Sequence, residues 1–178
     1  MKLYLQTTSP KQNRKAQIWS LDLMTGLALF LVGIMIFFIY SLNQPSQAKE
    51  TFAFLNYDGK VIADNLLSQG YPNNWNPSNV ITIGIISDSK INQSKLENLY
   101  QMIYVQNNYT KTKNIFNTEY DYYFFLSENM TVSSGKIEGI GKPGATPNNI
   151  NAKDLIKITR FTIYENKTTP LYLYLWQE

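Results

Sequence analysis

From Leu23 to Leu42 the chain reads LMTGLALFLVGIMIFFIYSL, about 20 residues without a charge. At about 1.5 Å rise per residue such a run covers roughly 30 Å, the thickness of a bilayer's hydrocarbon core. A soluble core seldom needs a helix this long that is apolar on every face, so the run is read as a transmembrane helix. Charge gives it a direction. Lys2, Lys11, Arg14 and Lys15 precede it, with no acid among the first 20 residues, so the leader carries about +4. Removing those four from 16 basic residues, and Asp22 from 13 acids, leaves 12 of each, so the remainder is neutral on balance. Retention of Lys and Arg on the inner side puts the N-terminus in the cytoplasm and everything after Asn43 outside. Trp19 and Tyr40 then fall at the two interfaces. Gly26 and Gly33 share a face at heptad spacing without forming a GxxxG pair. The whole basic excess sits in one short segment, which argues against nucleic-acid binding.

Ser46-Gln47-Ala48 after Pro45 has the small-x-small form of a secretory cleavage site, which leaves a cleaved signal peptide as the alternative. The length of the apolar run opposes it, since signal peptides use about 7–15 apolar residues. The chain contains no His and no Cys. That composition excludes His- and Cys-dependent triads, disulfides, thiolate redox chemistry and any His- or Cys-ligated metal centre. The expectation is no enzyme, no metal and no cofactor, although chemistry using only carboxylates, Lys, Ser or Tyr stays open.

Between the basic leader and the helix lies Arg14-Lys15-Ala16-Gln17-Ile18-Trp19-Ser20-Leu21-Asp22. This segment resembles the class III signal peptide of archaeal type IV pilins and archaellins. The resemblance implies cleavage between Ala16 and Gln17 by a prepilin-type peptidase. It also implies a role for Asp22 in subunit assembly, through pairing with the new α-amino group of a neighbouring like subunit. Ser20 and Asp22 would be mature residues four and six, one position later than is usual in that family, with Trp19 as the additional residue. The bare alternative for Asp22 is an acid that snorkels to the headgroups.

The expected organisation is a leader over residues 1–16, a membrane-edge segment and span over 17–43, and an extracytoplasmic domain over 44–178. The fold expected for the last is a small α+β, pilin-like arrangement of helices on an antiparallel sheet. Ser46 is the expected cap of a helix from Gln47 that breaks at Asp58-Gly59, with a second piece over Val61–Gln69 ended by Gly70 and Tyr71-Pro72. Val80–Ile86 reads as a buried strand, Lys95–Tyr104 as an amphipathic helix capped near Ser94, and Tyr109–Phe116 as a short helix. Tyr120–Leu126 and Thr131–Ile140 read as strands and Gly141–Asn151 as a loop. Ile156–Tyr164 and Leu171–Trp176 form a hairpin around a turn at Glu165–Thr169. The aromatic cluster Tyr120–Phe125 is read as core and sheet packing. Gly139-Ile140-Gly141-Lys142-Pro143 lacks the residues of a phosphate loop and is read as a turn. N-glycosylation sequons occur at Asn92, Asn108, Asn129 and Asn166, about as many as composition alone supplies.

The functional expectation is a single-pass, membrane-anchored pilin-like subunit or minor pilin of a surface filament. Its alternative is a non-polymerising anchored ectodomain that binds an envelope or surface partner.

Overall fold

The computed structural model describes residues 14–43 and 47–177. The chain divides into two compact units, residues 1–46 and 47–178. The first consists of helix α1, Arg14–Asn43, which is continuous through the apolar run. None of its membrane-length stretch, Leu21–Leu42, is buried within the protein. A helix apolar all round with no protein covering it has a surface suited to lipid or to other helices.

The second unit is α+β. It opens with α2, Gln47–Leu66, a single helix with no break at Asp58-Gly59; its expected cap, Ser46, lies outside the described residues. Gly59 stays helical because it is the contact point with the sheet. A Cβ there would lie 2.7 Å from Ile158 Cδ1 and 2.8 Å from Ile156 Cδ1, so the bare Cα lets the helix sit closer. Glycine in a helix costs about 1 kcal/mol relative to alanine, and this close packing offsets it. Leu55, Ile62, Ala63 and Leu66, at helical spacing around Gly59, are fully buried.

The chain after α2 turns at Gly70, whose φ of +69° suits glycine, with Thr82 O only 2.6 Å from where a Cβ would stand. The expected strand Val80–Ile86 is mostly not one. Val80, Ile83 and Ile85 are buried as their character requires. Their backbone, however, bonds to the irregular segment following α2: Ile85 N–H to Leu66 O at 2.9 Å, Ile86 N–H to Ser68 O at 3.0 Å, and Tyr71 N–H to Thr82 O at 2.9 Å. Only Ile86–Ser87 forms a strand, β1, in a hairpin with β2, Lys90–Ile91. A β-branched run fixes burial, but a ladder also needs a regular partner.

Helix α3, Gln93–Tyr100, is capped by Asn92, whose Oδ1 accepts from the Lys95 N–H, and not by Ser94. The expected helix to Tyr104 continues as a π-helical turn, Gln101–Val105, closed by Gln106 N–H to Gln101 O at 2.9 Å. Helix α4, Tyr109–Phe116, ends at Asn117 in the left-handed conformation. Four strands follow: β3, Asp121–Val132; β4, Gly135–Gly141; β5, Asp154–Tyr164; and β6, Lys167–Gln177.

The six-stranded sheet has the order β1-β2-β5-β6-β3-β4. All neighbours are antiparallel except β2 and β5, so the sheet is mixed. Two boundaries differ from expectation. Strand β3 runs on to Val132 through an irregularity between Phe125 and Met130, which places Thr131 in β3 and not in the next strand. The C-terminal hairpin turns on Glu165 and Asn166 alone, at φ of 47° and 63°, because a two-residue turn of that hand matches strand twist. Tyr122 and Phe124 of β3 and Leu171, Leu173 and Leu175 of β6 pack inward against α2, α3 and the π turn. The opposite sheet face carries Phe125 between Tyr172 and Tyr174, at ring separations of 5.1 and 5.2 Å.

Candidate functional site

The residues implicated in processing and assembly all lie on α1. The helix is continuous across Ala16 and Gln17, and Asp22 is exposed at the first turn of the apolar stretch. Asp22 lies five positions after Gln17, which on an α-helix is about 7.5 Å along the axis and about 140° around it. The two positions therefore sit on different faces of one helix.

The sequons fall on four different elements and do not converge. Asn92 is partly buried and its side-chain oxygen is committed to the α3 cap. Asn108 is exposed before α4, Asn129 is exposed in the irregular stretch of β3, and Asn166 is exposed at the hairpin turn, accepting from Lys90 Nζ at 2.9 Å.

The best-built charged constellation was not singled out by the sequence. Asp121, at the start of β3, receives Lys113 Nζ at 3.2 Å on one carboxylate oxygen and Lys142 Nζ at 2.7 Å on the other. Tyr109 donates its hydroxyl to the same carboxylate at 3.2 Å while accepting the Tyr122 N–H at 2.9 Å. Burial pushes the Asp121 carboxyl upward. The hydrogen bonds and charges of Lys142 and Lys113 outweigh it and hold the group below the usual carboxylate range. Burial drives the Tyr109 and Tyr122 hydroxyls strongly upward, so both remain neutral donors. A carboxylate with both oxygens committed to ammonium groups is poorly placed to act as a base. The group is a clip that joins α4, β3 and the loop after β4. The motif Gly139–Pro143 contributes to it: Gly139–Gly141 complete β4, and Lys142 supplies the ammonium.

A buried cation, Lys95, donates to Gln69 O at 2.8 Å and Ile86 O at 3.0 Å, joining α3 to the chain after α2 and to β1. Desolvation lowers its pKa, against a smaller upward pull from Asp88.

One open cleft, of about 610 Å³, lies between α2 and the end of α4. Phe54 and Tyr120 wall it with Asp58, Asn114, Asn117 and Glu119, and Asp58 accepts from the Thr118 hydroxyl at 2.8 Å. Among the described residues no group of three or more acids is placed to hold a metal ion.

Comparison with known proteins returns no match: no protein-family model, no curated protein and no solved structure is similar to this chain. The functional reading rests on the residues themselves.

Proposed function

We propose that the chain is a single-pass, membrane-anchored pilin-like subunit or minor pilin of a surface filament, with its leader in the cytoplasm and residues 47–178 outside. A prepilin-type peptidase would remove the leader after Ala16. The observation that carries this reading is α1: apolar on every face, unburied over Leu21–Leu42, and bearing its acid, Asp22, at the edge of that stretch. Such a surface needs lipid or like helices around it, and a carboxylate at the edge of hydrocarbon needs a cation. The geometry of α1 also favours a pairing in trans. Cleavage would create an amino group on Gln17, about 140° around the helix from Asp22, so the amino group of a neighbouring chain is the better partner.

Co-expression with a prepilin-type peptidase should shorten the chain by about 16 residues, the length of the leader. An Asp22→Ala chain should still be cut but should fail to enter filaments. A chain that stays at full length beside an active peptidase, with Asp22 freely replaceable, would instead identify a non-polymerising anchored ectodomain. The late position of Ser20 and Asp22 relative to the cut favours that second reading, as does the aromatic and polar cleft beside α4.

A further inference from the structure

The sheet has one long edge that is almost unused. Strand β5 pairs with β6 along its whole length, from Asp154 opposite Gln177 to Tyr164 opposite Lys167. On its other side, among the described residues, it pairs only at Ile163, with Lys90. From Asp154 to Thr162 every second residue therefore points its backbone N–H and C=O away from β6 with no strand to receive them.

Proteins usually guard such an edge with a bulge, a proline or an outward-standing charge. Strand β5 has no bulge and no proline, and one exposed cation, Lys157. Its register is unbroken. Its two cations are engaged within the chain: Lys157 Nζ lies 4.1 Å from the centre of the Tyr172 ring, and Arg160 pairs with Asp64 of α2 at 3.1 Å. Leu155 and Phe161, on the outer face of the strand, are 41% and 71% exposed. Strand β4, on the far side of the sheet, is treated differently. It is shorter, its pairing with β3 is interrupted, and the Gly141 N–H is occupied by the Tyr104 hydroxyl at 3.2 Å.

We propose that the β5 edge is a self-association surface, at which two copies of the chain join β5 to β5 antiparallel across a two-fold axis at Ile158. Residues directly opposite in an antiparallel pair share a face, and charge and space then select the register. Centring on Lys157 or on Arg160 would oppose like charges. Centring on Thr159 would require the backbone of Ile163, which Lys90 occupies. Centring on Ile156 would leave Phe161 unopposed. Centring on Ile158 sets Leu155 against Phe161 twice, Lys157 against Thr159, and Asp154 against Thr162. The surface is independent of leader cleavage and of filament formation, and would serve an anchored ectodomain equally.

The chain has no native cysteine, so introduced thiols are the only ones present. Two full-length variants, Leu155→Cys and Phe161→Cys, both altered at exposed side chains, are expressed in membranes separately and together. Oxidation to the disulfide should give a band at twice the chain's mass only when both are present, and at least tenfold above either alone. Lys157→Cys alone should give none. No doubled band on co-expression would overturn the proposal, as would equal bands from the single variants. A crosslink to a protein of another mass would assign the edge to a different partner and overturn it too.

Discussion

Two glycines show how much a single missing Cβ decides. Around Gly59 the nearest atoms are the ends of two isoleucine side chains, which can move. Gly59→Ala should therefore lower stability by about 1 kcal/mol, the overpacking cost less the helical gain. At Gly84 the obstacles are backbone: Gly70 N at 2.3 Å and Ser68 O at 2.4 Å. Gly84→Ala has to push apart main-chain segments that pack directly on each other and should cost about 3 kcal/mol or more. A urea titration of both variants in detergent would check the order, and equal midpoints would contradict it. Asp121 offers a test by pH. Its folded pKa is depressed, so its contribution is complete above about pH 5 and is lost as pH falls through the folded value. Asp121→Asn should lose about 1–2 kcal/mol at pH 7, with the gap to the parent chain closing toward pH 2. A gap independent of pH would refute the clip.

Elements were legible where periodicity and partner coincide. The C-terminal hairpin declares both strands by alternation and pairs with itself, so the pairing of β5 with β6 followed directly. Helix α4 was bounded correctly because its closing residue, Asn117, tolerates the left-handed conformation. The break placed at Gly59 and the strand placed at Val80–Ile86 failed for one reason. Local composition describes a residue's own preference, while a distant surface, β5 in the first case and the turn after α2 in the second, set the outcome. The Asp121 clip was illegible because its charged members lie on three elements, 8 and 21 residues from Asp121 in sequence. Glu97 makes a comparable tie. Its carboxylate accepts Ser133 N–H at 2.7 Å and the Ser133 hydroxyl at 2.5 Å, holding α3 to the β3–β4 turn. Glu97→Ala should cost about 1–2 kcal/mol and raise amide exchange first at Ser133–Gly135. Unchanged exchange there would show that the turn holds itself.

For the molecule as a whole, the proposed topology predicts opposite behaviour at its two ends. With no native thiol, Asn129→Cys should react with a membrane-impermeant maleimide on intact cells, because that position is exposed on residues 47–178. In cells lacking the prepilin-type peptidase, where the leader is retained, Ser9→Cys should react only after permeabilisation. Reaction of both on intact cells would refute the orientation.

The strand order has a consequence for biogenesis. Strand β6, the last of the six in sequence, lies between β5 and β3. Strands β3 and β4 can pair as soon as they are made, yet they have no connection to β5 until residues 167–177 arrive. Assembly of the sheet therefore cannot proceed as an N-to-C zippering. Two of the six strands, β3 and β4, must wait as an open hairpin.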